Sequence, residues 1–327
     1  MSPRRGPRTA VLIAGPTASG KSALAIDLAR ARPAVIVNAD SMQVYDALPT
    51  LTAQPTRRER DEIPHRLYGH VSPETAYSVG AFVDDVARVL GMGGDGACGN
   101  DGDVARERLP IIVGGTGLYF KALTDGLAPV PAIREDVRAH WRTERAWQTP
   151  EQLHAILEAR DAVMAARLRP SDPQRIVRAL EVVDSTGRSL AAWQDEPTEG
   201  LLEGWRLIRV LAVWPRPELY ARADARFSQM VHAGDARDEV RALTARHVPS
   251  TAPIWGALGA RELAAVDGED VSLESAIATA QQATRNYIKR QETWARRNMQ
   301  SWTRIDMKEY SENGAENLQK LLAIIDG

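Results

Sequence analysis

The chain has 327 residues, in which 41 Lys and Arg stand against 43 Asp and Glu, for a formal charge of −2. That length exceeds one small core and points to one large domain or two of moderate size. The near-neutral sum excludes a uniformly basic nucleic-acid binder, so any basic footprint has to be local. Only five of the cations are lysine. The arginine excess suits bidentate phosphate contacts, although a GC-rich genome would produce it too. Cys98 is the single cysteine, which excludes an internal disulfide and a cysteine-based zinc site and fits a cytoplasmic protein. No apolar run approaches the ~20 residues of a membrane span. The basic start (Arg4, Arg5, Arg8) leads into a short strand and a glycine loop, which is not the pattern of a secretion signal.

Residues 10–14 (AVLIA) are an apolar run ending at Gly15, the signature of a buried parallel strand. Residues 21–31 are strong helix formers, and 34–37 (AVIV) read as a second buried strand. A helix is predicted over 79–90. The glycine- and aspartate-rich stretch 91–103 reads as a surface loop, since it lacks the regular period of a calcium-binding repeat. Ile111-Ile112-Val113 reads as a strand ending in Gly114-Gly115, with a helix over 117–124. Strand, glycine turn and helix in repetition imply an α/β fold with a parallel sheet, and the glycine loop GPTASGKS at 15–22 makes it P-loop NTPase-like.

From about residue 131 strand-type runs vanish. Helices are predicted over 135–147, 150–158, 160–168 and 173–186. The domain assignment is therefore an all-helical insertion over 131–200 within a catalytic core formed by 1–130 and 201–327. A strand returns at 206–213 (RLIRVLAV). Helices follow near 217–233, 235–246 and 256–266, then a long one over 272–303 and a last one near 315–325.

Gly15-Pro16-Thr17-Ala18-Ser19-Gly20-Lys21-Ser22 fits G-x-x-x-x-G-K-[ST] in full, between a predicted strand and a predicted helix. The glycines let backbone N–H groups curl around a phosphate chain. Lys21 brings a point charge, Ser22 can ligate Mg²⁺, and the helix start adds its positive dipole end. The loop fixes a polyphosphate without saying what happens to it. No guanine-reading Asn-Lys-x-Asp segment is present, which argues against a GTPase. Asp40 follows the second strand, and ligands of open α/β sheets bind at the carboxyl ends of strands. It can take a proton from an incoming nucleophile, or serve a small-molecule kinase through a hydrated Mg²⁺; the carboxylate alone does not choose.

Several separated blocks narrow the choice: GPTASGKS (15–22), NADSMQVY (38–45), PHRLYGHV (64–71), VGGTGLYFKAL (113–123), RLRPSDPQRIVRALEV (167–182), ARFSQM (225–230) and TRNYIKRQETW (284–294). With these blocks in order over nearly its whole length, the chain resembles the tRNA dimethylallyltransferase (tRNA isopentenyltransferase) family. The resemblance implies alkyl transfer from dimethylallyl diphosphate to the exocyclic 6-amino group of the adenosine 3′ of the anticodon, in tRNAs reading codons that begin with U. It implies a diphosphate gripped with Mg²⁺ by Gly15, Thr17, Ala18, Ser19, Gly20, Lys21 and Ser22. Asp40 would be the base, with Thr116 and Arg226 supporting the leaving group. Asp40, Ser41, Met42 and Gln43 would line the path of the flipped-out adenine. The helical insertion would clamp the anticodon stem-loop, with Arg138, Asp172, Gln174, Arg175 and Arg178 at the RNA. Further basic residues, Arg285, Lys289, Arg290, Arg296 and Arg297, mark the long helix. The implied protein is a cytoplasmic monomer with no membrane partner.

The chain departs from the family's pattern at two places. Leu51-Thr52-Ala53-Gln54-Pro55 stands where many members have Gly-Thr-Ala-Lys-Pro, and Leu258-Gly259-Ala260-Arg261-Glu262 stands where Ile-Gly-Tyr-Lys-Glu is common. Both departures resemble an alphaproteobacterial variant. His65 and His70 lack a third strong ligand for a metal site beside Asp40. Trp141, Trp147, Trp294 and Trp302 are expected to pack in cores or between helices. The alternatives are a cytokinin-type adenylate isopentenyltransferase, which would need no stem-loop clamp, and a P-loop kinase or RNA-binding ATPase.

Overall fold

The computed structural model describes residues 7–92, 108–268 and 271–326. Strands β1 (Thr9–Ala14), β2 (Ala34–Asn38), β3 (His65–Arg66), β4 (Leu109–Gly114), β5 (Arg206–Val213) and β6 (Thr303–Asp306) form one parallel sheet in the order β3-β2-β4-β1-β5-β6. The register sets Val11 beside Ile111 on one side and Ile208 on the other. Ala10 to Ile13 and Ile111 to Ile112 are fully buried. Strands covered on both faces must be apolar at every position, which is why they read as unbroken hydrophobic runs.

The helices are α1 (Lys21–Ala31), α2 (Arg57–Glu62), α3 (Val79–Val89), α4 (Gly117–Thr124), α5 (Glu135–Trp147), α6 (Pro150–Arg160), α7 (Ala162–Arg167), α8 (Pro173–Thr186) and α9 (Leu190–Gln194). After β5 come α10 (Arg216–His232), α11 (Ala236–Ala245), a 3₁₀ turn at Pro253–Gly256, α12 (Ala260–Asp267), α13 (Leu273–Asn298), α14 (Met307–Glu312) and α15 (Gly314–Asp326). Among the described residues no helix is long and apolar enough to cross a membrane.

The chain divides into two compact units. One runs up to Leu123 and resumes at Gly204; the other is Thr124–Glu203. The sequence placed these boundaries at 131 and 200. In the first unit, alternate residues of β1, β4 and β5 (Val11, Ile13, Ile111, Val113, Ile208, Val210) pack with Leu24 and Leu28 of α1 and Leu321 and Leu322 of α15. A second core joins Val44, Tyr45 and Leu48 to Phe227, Val240, Leu263 and Ile277 on α10 to α13. Two strands escape the sequence pattern. β3 has two residues, and β6 (TRID) is largely exposed and formed by its pairing to β5. The long helix therefore stops at Asn298 instead of 303. Most of the stretch 91–103 lies outside the described residues.

The second unit is all helix. Thr149 closes a capping box with Gln152, Asp161 caps α7, and Asp172 caps α8 ahead of Pro173 at its first position. Its core gathers Trp141, Leu153, Leu157, Met164, Ile176, Leu180 and Val182. Trp141 is 1% exposed, and its indole Nε1 donates to Asp184 Oδ2 at 2.9 Å. Arg160 donates to the same carboxylate at 2.5 Å with its guanidinium 5.2 Å from the indole ring. Trp147, by contrast, is 81% exposed and packs in no core. Trp141→Ala should destabilise this unit by about 3–5 kcal/mol through the cavity and the lost hydrogen bond to Asp184. Hydrogen exchange resolved by segment should show lost protection within 124–203 and little change in β1, β4 and β5.

Candidate active site

Three neighbouring strands, β2, β4 and β1, deliver their carboxyl ends to one place. β1 runs into the P-loop. Its Ala18 (φ 61°) and Gly20 (φ 86°) are left-handed, which turns the backbone into the start of α1 at Lys21. Arg226 of α10 donates to Thr17 Oγ1 at 2.7 Å. Trp214 Nε1 donates to the Ser19 carbonyl at 2.8 Å, and Arg222, its guanidinium 4.3 Å from the Trp214 ring, reaches the Ala18 carbonyl at 3.4 Å. The loop's carbonyls are thus held from behind. Ser19 is fully buried and its hydroxyl has no partner among the described residues.

The electrostatics suit an anion. Burial pulls the Lys21 ammonium down to about 8, with nearby Asp40 opposing the shift and Arg226 adding to it. Burial also lowers Arg226, against the pull of Asp40 and with a push from Arg222. Two desolvated cations face one carboxylate here, so an incoming polyanion relieves their repulsion. Lys21 Nζ meanwhile donates to the Pro16 carbonyl at 3.3 Å.

Asp40 is fixed by its own turn. The buried Asn38 accepts from Asp40 N–H at 2.8 Å and donates to the Asp40 and Leu67 carbonyls at 2.9 and 3.0 Å. Asp40 Oδ1 accepts from Met42 N–H at 3.0 Å, while Oδ2 faces the Gly115 backbone. Thr116 sits alongside. Its N–H donates to the Ala39 carbonyl at 3.2 Å, and its Oγ1 accepts from Ser41 N–H at 3.0 Å. A Cβ on Gly114 would lie 2.0 Å from the Ala39 carbonyl oxygen, so only glycine lets these two strand ends meet so closely.

Helix α13 covers the strand ends with Tyr287, Arg290, Gln291 and Trp294. The Tyr287 hydroxyl bonds with Thr116 and Gln291, and burial beside Asp40 pushes it well above its usual range. Two cavities open beneath the helix. One, of about 640 Å³, is lined by Gly15, Pro16, Thr116 and the aromatic rings of Phe120, Tyr287 and Trp294. The other, of about 930 Å³, holds Thr17, Asp40, Ser41, Met42, Arg226 and Phe227. Tyr287 and Arg290 belong to both, and an apolar room beside a polar one is a common plan for binding a small molecule and orienting it.

The structure therefore brings together Gly15, Thr17, Ala18, Ser19, Gly20, Lys21, Asp40, Ser41, Met42, Thr116 and Arg226. Ser22 follows Lys21 at the start of α1 and borders a third cavity with Gln43, His65 and Tyr68, and both Gln43 amide hydrogens go to the Thr52 and Ala53 carbonyls at 2.8 Å. His70 and Tyr77 donate to the buried Asp85, and among the described residues no cluster of His, Cys, Asp and Glu could hold a metal. On the helical unit Arg138 lies 3.5 Å from Glu135, Arg175 3.3 Å from Asp172 and Arg178 3.5 Å from Glu181; Gln174, Arg175 and Arg178 are exposed and Arg138 is half-buried. Arg285, expected in a basic stripe, turns inward to Asp224 at 2.6 Å because α13 directs that face toward α10. Lys289, Arg290, Arg296 and Arg297 remain exposed. The sequence reading missed Asn38, Tyr287 and Gln291, although all three lie inside the quoted blocks.

Residues 43–298 match the family model described as IPP transferase, and residues 8–70 the one described as Isopentenyl transferase. A tRNA dimethylallyltransferase of Chelativorans sp. (strain BNC1) is 47% identical over 88% of this chain and 94% of its own. The tRNA isopentenylpyrophosphate transferase of Bacillus halodurans has 30% identity and a TM-score of 0.62, covering 98% of this chain and 99% of its own. A eukaryotic dimethylallyltransferase acting on tRNA shares the fold at a TM-score of 0.76 with 24% identity, over 95% of this chain and 77% of that one. With a family model matched over most of its length and a relative this similar end to end, the chain belongs to the IPP transferase family.

Proposed function

We propose that this chain is a tRNA-modifying prenyltransferase. It moves a dimethylallyl group from dimethylallyl diphosphate to the exocyclic 6-amino group of the adenosine 3′ of the anticodon and releases pyrophosphate. One observation carries the reading: Lys21 and Arg226 at the P-loop face the Asp40 carboxylate in one desolvated site, in a chain closely similar to proteins named tRNA dimethylallyltransferase.

An adenine amine is a weak nucleophile because its lone pair is delocalised into the ring. As N6 bonds to C1 of the dimethylallyl group, Asp40 accepts the N6 proton, the C1–oxygen bond breaks, and its electron pair leaves on pyrophosphate. Negative charge grows on the diphosphate, where Lys21, Arg226, the P-loop N–H groups and the Thr116 hydroxyl stabilise it. The aromatic cavity suits a five-carbon apolar tail, and the cavity holding Asp40 suits a base edge. Mg²⁺, when bound, neutralises part of the diphosphate charge. The Ser22 hydroxyl, without a hydrogen-bond partner among the described residues, would be the side chain to hold it. The helical unit, with its exposed arginines, grips the anticodon stem-loop, a device that a free-nucleotide prenyltransferase would not need. The same reading has the enzyme acting as a monomer in the cytoplasm.

Incubation with dimethylallyl diphosphate, Mg²⁺ and an unmodified U-reading tRNA should yield prenylated adenosine and pyrophosphate; ATP turnover without prenylation would overturn the proposal. Asp40→Asn should slow single-turnover transfer by about 10²–10⁴-fold with tRNA affinity nearly unchanged. Lys21 is protonated below about pH 8, so an unreactive analogue of the diphosphate should bind with constant affinity near pH 7 and progressively more weakly above pH 8. Lys21→Arg should flatten that profile. Arg175→Ala should weaken tRNA binding for all sequences and reduce the salt dependence by about one phosphate contact, leaving analogue binding intact.

A further inference from the structure

Gln291 uses both ends of its side-chain amide. Its Oε1 accepts from Thr17 N–H at 3.0 Å, and its Nε2 donates to the Gly115 carbonyl at 2.9 Å. The Tyr287 hydroxyl, one helical turn earlier, bonds with Gln291 and Thr116. The two atoms that Gln291 joins belong to different strand-end loops. Thr17 is the P-loop residue whose hydroxyl receives Arg226. Gly115 precedes Thr116 and faces Asp40. A Cβ on Gly115 would lie 2.4 Å from Gln291 Nε2 and 3.4 Å from Asp40 Oδ2. The glycine thus makes room for both the amide and the carboxylate.

Only a side-chain amide offers an acceptor and a donor on one rigid fork. A glutamate cannot donate to the carbonyl, and a methionine fills the space with neither function. We propose that Gln291 is a positioning residue that sets the separation between the loop gripping the diphosphate and the turn carrying Thr116 beside Asp40. It touches no reacting atom. Its work is to keep C1 of the donor in line between leaving group and nucleophile, where a displacement of about 1 Å can cost about 10²-fold in rate. The inference rests on the prenyl-transfer reading for its kinetic consequence and on the loop geometry alone for its effect on anion binding.

The test uses the full-length protein with Gln291→Met, Gln291→Asn and Gln291→Glu. Gln291→Met should lower kcat by about 10²-fold with little change in the KM for tRNA. Gln291→Asn keeps the chemistry on a shorter arm, and should fall between wild type and Gln291→Met. Gln291→Glu should in addition weaken binding of inorganic pyrophosphate, measured by calorimetry, by about tenfold or more, because it sets a second carboxylate beside the anion. A merely structural glutamine would lower Tm and leave kcat and pyrophosphate affinity unchanged at temperatures where the variants are folded, and that result overturns the proposal. Should Gln291→Met fail to fold, Gln291→Asn decides on kcat by the same criterion. A wild-type protein that does not prenylate tRNA would sink the transferase reading by itself. The pyrophosphate titration of the uncharged Gln291→Met, weakened several-fold if the loop has lost its tie and unchanged if the glutamine is merely structural, then still decides the role of Gln291.

Discussion

The site depends on a close approach of backbone to backbone. β2 and β4 end within reach of one another only because Gly114 brings no side chain against the Ala39 carbonyl. Ala39 N–H donates to the Val113 carbonyl at 2.8 Å, and Thr116 N–H returns to the Ala39 carbonyl at 3.2 Å. This interlock carries the sheet's pairing past the last strand residues and into the loops, where a parallel sheet ordinarily lets go. Asp40 and Thr116 therefore inherit the rigidity of the strands, and catalytic groups on rigid elements hold their geometry better than groups on free loops.

The second constraint is electrostatic. Lys21 and Arg226 are brought out of water without enough negative charge to neutralise them, and burial lowers both. Such a site is costly when empty and is stabilised by the ligand it was built for. The cost is borne by backbone contacts behind the loop. Trp214 and Arg222 hold the Ser19 and Ala18 carbonyls. The whole chain's near-zero charge conceals this arrangement, because 43 acidic residues offset the 41 Lys and Arg in the sum.

Much of the architecture was legible because buried parallel strands have to be apolar throughout and the P-loop carries a strict spacing. The strands around 10–14, 34–37 and 111–113, the helices at 21–31, 117–124, 135–147 and 173–186, and the helical character of the middle segment all follow from local pattern. β6 was not legible: TRID has one apolar residue, and what makes it a strand is the edge of β5. Gln43 reads as a base-contacting residue by resemblance, yet its amide is bound to the Thr52 and Ala53 carbonyls, a partner choice no local pattern reveals. Gln291 and Tyr287 look like ordinary polar residues of a long amphipathic helix. Their importance comes from which strand ends the helix crosses.

Sequence distance within the site has a consequence for biosynthesis. The P-loop is made long before the groups that hold it, since Thr17 is bonded to residues 209 and 274 positions later. β1, β4 and β2 emerge early, then the entire helical unit, and only afterwards β5 and the residues that brace the loop. β1 must wait for its neighbour on one side while some eighty residues of another unit are made. A nascent chain arrested before residue 214 would display the phosphate-binding consensus in full and lack the backing that shapes it. The bracing that shapes the loop therefore arrives only with Trp214, Arg226 and Gln291, long after the loop itself.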